Sequence, residues 1–225
     1  MNTAPKLVNR LVSGDIVYEF YEAGKRSFVK TRLLPLKTPQ AVEKLKGFGF
    51  PEKYLLPIEQ KRIKRTVTVN GSEVEIESYQ IAKKWAKEKF PMSLLLLGSV
   101  GTGKTQAVVV AACHLLRVRK ISSAKFYSAM ELRTAFDRGE LQQEIKEADL
   151  LVIDDLGREY KSDYNAYIVE TVITTRYDLQ KPVCITANLT FEDIARRYTP
   201  RVLDRLKEWA YRKVVKQNFS LRGIL

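Results

Sequence analysis

Eight consecutive residues constrain this chain more than any others: Gly98, Ser99, Val100, Gly101, Thr102, Gly103, Lys104 and Thr105. They fit G-x-x-x-x-G-K-[ST] and stand between an all-apolar run at 94–97 and a predicted helix from about 103 to 119. A strand before and a helix after are the context this pattern requires. The glycines let the backbone turn tightly and approach phosphate oxygens. Successive N–H groups near residues 101–105 then form an anion nest, and the helix N-terminus adds its dipole. Lys104 supplies a flexible charge for the β- and γ-phosphates of ATP, and Thr105 offers a hydroxyl to Mg²⁺.

A second all-apolar run, 150–153, leads into Asp154 and Asp155. Open α/β sheets bind ligands at the carboxyl ends of such strands. Asp154 is the expected Mg²⁺ ligand, acting through the ion's water shell. Asp155 is the expected group to orient, or take a proton from, an attacking water. Adjacent carboxylates repel, which a divalent cation relieves. Asn188 follows a third strand, 183–186; it reads either as a contact to the γ-phosphate or attacking water, or as a turn asparagine. Arg201 and Arg205 share a helix face at spacing four. They read either as neutralising phosphate charge in this subunit or a neighbour's, or as a solvated basic face. Arg222 carries the same two readings. His114, inside the first helix, reads as structural.

From Ser93 on, strand and helix patterns alternate, which predicts a parallel sheet covered by helices. Strands are expected at 94–97, 125–127, 150–153 and 183–186, and helices at 128–138, 141–147, 165–179, 191–197 and 201–211. Before Ser93, strands are expected at 15–21 and 26–34, and a short helix at 39–45 capped by Thr38. Asn70 and Gly71 signal a hairpin. A helix capped by Ser78 is expected to run to Phe90, with Ile81, Ala82, Trp85 and Ala86 buried and Lys83, Lys84 and Lys87 elsewhere. The expected organisation is an N-terminal region, 1–50, then a linker with the hairpin and amphipathic helix, 51–92, then the nucleotide-binding core, 93–225.

Composition narrows the function. At 45 % hydrophobic residues the chain can bury a core. The longest uncharged apolar stretch, 107–116, is about half a membrane span. No signal-like segment opens the chain, so a cytoplasmic protein without membrane partners is expected. Two cysteines and one histidine are too few for a four-ligand Cys/His zinc site. The net charge of +13 is uneven. Residues 1–65 carry 14 Lys/Arg against 6 Asp/Glu, residues 66–175 carry 14 against 15, and residues 176–225 carry 11 against 5. Basic ends around a neutral middle point to a polyanion partner.

Together these motifs resemble the AAA+ ATPases of the bacterial replicative helicase loader group (DnaC and DnaI types, with the related IstB transposition helpers). The resemblance covers residues 49–225. Residues 50–54 (FPEKY) are similar to the segment leading into the ATPase core. Residues 150–157 (LLVIDDLG) are similar to Walker B, with Asp155 where many AAA+ proteins have Glu. Asn188 matches sensor 1, residues 199–206 match the box that carries the arginine finger, and Arg222 matches sensor 2. The resemblance implies an α/β P-loop AAA+ core whose parallel sheet is flanked by helices. Only 35 residues follow Thr190, so a core lacking a full C-terminal helical lid, preceded by a small N-terminal region, is expected. It implies Mg-ATP hydrolysis, a homo-oligomer joined through Arg201 or Arg205, single-stranded DNA, and docking of a hexameric replicative helicase. It places residues 128–148 along a central channel, where Arg133 and Arg138, with Lys125 nearby, meet DNA. The motifs leave three alternatives: an IstB-like transposition helper on double-stranded DNA, a P-loop small-molecule kinase, and a nucleotide-gated adaptor that barely hydrolyses ATP, which Asp155 in place of Glu leaves open.

Overall fold

The computed structural model describes residues 4–24, 26–69, 71–217 and 219–221. Strands β1 (Lys6–Ser13), β2 (Ile16–Ala23) and β3 (Arg26–Leu33) form an antiparallel sheet in that order. The sequence signals β2 and β3 but not β1. All eight residues of β1 are exposed and its pairing shifts between Leu7 and Asn9, so no alternation marks it.

Helices α1 (Thr38–Gly47) and α2 (Glu52–Glu59) follow. Thr38 is already helical rather than the cap. Lys37 takes that place, its N–H donating to the Gln40 side chain at 2.9 Å, and Pro39 fits the first turn because it needs no N–H partner there. α2 has no clear sequence signal because it contains Pro57. The hairpin forms as β4 (Thr66–Val69) and β5 (Ser72–Glu75). Gly71 has φ +78°, while Asn70 lies outside the described residues. Helix α3 (Glu77–Lys84) continues as one π-helical turn, Trp85–Lys89. Ser78 does not cap it: fully buried Ile76 stands at the N-cap and Ser78 is buried in the first turn. Ile81, Ala82, Trp85 and Ala86 are buried and Lys83, Lys84 and Lys87 exposed, as the spacing predicts.

The alternating part runs β6 (Ser93–Gly98), α4 (Lys104–Arg117), β7 (Ala124–Ser128), α5 (Leu132–Asp137), α6 (Glu140–Glu147), β8 (Leu150–Leu156), α7 (Asp163–Asp178), β9 (Val183–Ala187), α8 (Phe191–Arg197), α9 (Pro200–Trp209) and β10 (Ala210–Val215). Its five strands are all parallel, in the order β10-β6-β9-β8-β7. The helix expected over 128–138 is shorter, because β7 extends to Ser128 before α5 begins at Leu132. The helix expected to reach Tyr211 ends at Trp209, and the chain becomes the edge strand β10 beside β6. Arg212 and Lys213 hide this strand in the sequence. They are tolerated because an edge strand needs only one buried side.

Alternate leucines of β6 divide the core. Leu94 and Leu96 pack with α1–α4, while Leu95 and Leu97 pack with α5–α9. The sheet is thus buried on both faces, as its uninterrupted apolar strands require. On the second side Arg176 is fully buried. Its guanidinium donates to the carbonyls of Ile145 (3.1 Å), Ala148 (2.5 Å), Asp149 (3.2 Å) and Pro182 (2.6 Å). One side chain thereby ties α7 to the segments entering β8 and β9, and burial pushes its pKa down to about 10. Arg176→Met leaves those carbonyls unpaired and should cost on the order of 3 kcal/mol. An unshifted urea-unfolding midpoint would contradict this.

Candidate nucleotide site

The carboxyl ends of β6, β8 and β9 are adjacent, and the loop from Gly98 to Gly103 closes over them. All three of its glycines, Gly98, Gly101 and Gly103, have positive φ and leave no room for a Cβ. At Gly98 (φ +146°) a Cβ would stand 3.0 Å from Val215 of β10. Gly103 (φ +78°) is the N-cap of α4, where a Cβ would stand 2.9 Å from Leu221. Left-handed backbone and close approach are what glycine permits. The open pocket in front of this loop has a volume of about 630 Å³ and is lined by residues 100–106 with Tyr54, Asp155, Arg158, Asn188 and Leu221.

Lys104 is buried at the start of α4. Its Nζ donates to the carbonyls of Gly98 (2.9 Å) and Ser99 (2.8 Å) and to Asn188 Oδ1 (2.8 Å). Burial holds the ammonium below the usual lysine range, with Asp155 and Asp154 opposing. Asn188 Nδ2 in turn donates to Asp155 Oδ1 at 3.2 Å. The asparagine therefore bridges loop lysine and strand-end carboxylate. Asn188 also lines the pocket.

Asp154 is buried, and its Oδ1 accepts hydroxyls from Thr105 (2.7 Å) and Thr186 (2.6 Å). Burial pushes its pKa up, the hydroxyls pull it down, and neighbouring Asp155 adds to the rise. A buried carboxylate short of positive charge, with a hydroxyl beside it, fits a hard divalent cation. Among the described residues no group of three or more His, Cys, Asp or Glu could hold a metal. Thr105 and Asp154 are the groups here that could hold such a cation.

Asp155 has left-handed backbone (φ +54°), and its N–H donates to Thr186 Oγ1 at 2.9 Å. Such backbone costs roughly 1 kcal/mol or more for a residue with a side chain. Its Oδ2 also meets Arg158 Nη1 at 3.1 Å. Sequence reasoning misses both Thr186 and Arg158. Thr186 has a signal, being the one hydroxyl in an otherwise apolar run. Arg158 has none, because the turn after β8 brings it to the pocket. Below that turn, buried Glu159 accepts from Gly157 N–H (2.8 Å), Arg197 Nε (2.9 Å) and the Tyr198 hydroxyl (2.5 Å), fastening α8 to the site.

The remaining candidates lie elsewhere. Arg201 and Arg205 are on α9 and do not line the pocket. Arg201 is exposed and meets Glu170 at 3.4 Å. Arg205 lies 4.2 Å from the centre of the Tyr177 ring. Arg222 lies outside the described residues. Near α5, Lys125 pairs with Glu144, Arg133 meets Asp137 at 3.6 Å, and Arg138 is exposed.

A phosphate loop, a strand-end aspartate pair and a bridging asparagine on this parallel sheet define a P-loop nucleotide-binding protein of the AAA+ class. The chain belongs to the IstB-like ATP binding protein family, whose profile matches residues 82–221. It is 28 % identical over 123 residues to the replicative helicase loader DnaC of Escherichia coli K12, covering 51 % of this chain and 50 % of that one. It is 31 % identical over 113 residues to the phage-like element PBSX protein XkdC of Bacillus subtilis, covering 46 % and 42 %. The chain thus spans about half the length or less of these curated relatives. In fold it resembles the crystal structures of the DnaC helicase loader (TM-score 0.54, 24 % identity, 63 % of this chain and 90 % of that) and of DnaI (0.53, 23 %, 67 % and 86 %).

The bridge predicts a split between binding and turnover. Asn188→Ala should keep nucleotide affinity within a few-fold while lowering hydrolysis about 100-fold. Asp155→Asn should lower it by about 100-fold or more. Steady-state phosphate release beside equilibrium nucleotide binding reads both, and wild-type turnover in either variant would contradict the roles given.

Proposed function

We propose that this chain is an ATP-dependent loader of a DNA-replication helicase. The carrying observation is the hydrogen-bonded bridge Lys104–Asn188–Asp155 beside Thr105–Asp154. ATP lies across the loop, with its β- and γ-phosphates at Lys104 and the loop N–H groups. Bound Mg²⁺, held by Thr105 and Asp154, would neutralise phosphate charge. Asp155 accepts the proton of the attacking water, and Asn188 orients that water and senses the γ-phosphate. Arg158 must release Asp155 for this to occur. Arg222, by the family resemblance, completes the nucleotide contacts.

The two arginines of α9 take different parts in this reading. Arg201, 63 % exposed at its side chain, reaches the nucleotide of a neighbouring copy and so couples homo-oligomer assembly to ATP. Arg205, stacked on Tyr177, holds α9 against α7. The protein works in the cytoplasm on single-stranded DNA, and the N-terminal region docks a hexameric replicative helicase. Among the described residues no helix is long and apolar enough to cross a membrane. DnaC among the relatives supports the loader reading. The family profile, IstB-like, favours a second one: a transposition helper acting on double-stranded DNA.

Fluorescence anisotropy with labelled single- and double-stranded DNA, with and without Mg-ATP, separates them. The loader predicts ATP-dependent preference for the single strand. Preference for the duplex would favour the transposition helper, and no DNA binding in any nucleotide state would overturn both.

A further inference from the structure

Apart from the nucleotide pocket, α3 forms a ridge between two concave grooves of about 620 and 590 Å³. Lys84 borders both, Lys83 and Lys87 line the first, and Arg212, Lys213 and Lys216 line the second. All six are exposed. Among the described residues none has a carboxylate within 4 Å. Two carboxylates of the grooves are already engaged. Glu77 accepts the N–H groups of Lys216 (2.6 Å) and Gln217 (3.2 Å), and Glu75 accepts from Gln80. Glu88 is the third. Arg65 adds a further cation at the rim of the first groove.

Charges on β10 alone would be explained as blunting an open sheet edge against pairing. That explanation does not reach Lys83, Lys84 and Lys87, which stand on a helix facing the same grooves. Lysines and arginines around concave channels, without acidic partners, complement a chain of phosphates. A flat bilayer would instead select a face with several apolar anchors, and among the residues lining the two grooves Val214 alone is a large exposed apolar side chain. The basic residues near α5 make a smaller patch, since Lys125 and Arg133 are paired with Glu144 and Asp137 and only Arg138 is exposed without an ion pair among the described residues.

We propose that the face built by α3 and β10 is the DNA-docking surface of this protein, gripping the phosphodiester backbone along the two grooves. This rests on the reading of the chain as a DNA-acting ATPase. The face is also tied to the nucleotide loop. Glu77 holds residues 216 and 217, and four residues on, Leu221 N–H donates to Gly101 O at 2.8 Å. Backbone contacts of this type carry no base sequence, so binding is sequence-tolerant and salt-sensitive.

The test uses the full chain with labelled single- and double-stranded DNA across a salt series. The variant Lys83→Ala/Lys84→Ala/Arg212→Ala/Lys213→Ala should bind DNA at least about tenfold more weakly at 0.1 M salt. Its slope of log K against log salt should flatten by about 0.7 for each single-strand phosphate that is no longer neutralised. Arg133→Ala/Arg138→Ala should bind within about twofold of wild type, since that pair leaves the docking face intact. Both variants should bind nucleotide normally, which shows that they fold. Wild-type DNA affinity in the four-site variant, or a loss confined to Arg133→Ala/Arg138→Ala, would overturn the proposal while leaving the DNA-acting reading intact. So would loss of binding to anionic phospholipid vesicles with DNA binding unchanged. Absence of DNA binding by the wild type would overturn both.

Discussion

A buried carboxylate must be hydrogen-bonded or neutralised, and Asp154 is where three elements meet to do so. Its Oδ1 takes the hydroxyls of Thr105 from α4 and Thr186 from β9, while β8 carries the carboxylate itself. The hydrogen bonds lower the cost of burial without removing it, so the group remains short of positive charge. A divalent cation would supply that charge. The same constraint brings the next residue, Asp155, within reach of Asn188, and Asn188 within reach of Lys104. The site is thus one connected network rather than separate motifs.

The sheet makes this network possible. Strand order places β9 between β6 and β8, so the loop after β6 and the aspartates at the carboxyl end of β8 flank Asn188. Packing on both faces holds those strand ends in register. Arg176 and the Glu159–Arg197–Tyr198 cluster, both on the α5–α9 side, tie the helices to the segments that enter and leave these strands. The contacts of Lys104 to the loop carbonyls and of Arg158 to Asp155 are made by long side chains facing the pocket.

Legibility in the sequence follows burial. β6 and β8 stand out as apolar runs because both of their faces are covered. The phosphate loop stands out because its glycines answer to steric contacts with Val215 and Leu221. β10 is hidden because its exposed positions admit Arg212 and Lys213, and β1 because none of its residues is buried. Ser78 misleads because serine favours caps, yet buried Ile76 decides where α3 begins. Arg158 is invisible because its place depends on the left-handed turn at Asp155, which no local pattern announces.

If Lys104 and Asp154 together make an Mg-nucleotide site, calorimetric titration of ATP into the protein, with Mg²⁺ and then with EDTA, should show it. One nucleotide should bind per chain, more weakly when Mg²⁺ is removed, and none should bind to Lys104→Ala. Equal affinity in Lys104→Ala, or binding indifferent to Mg²⁺, would contradict it.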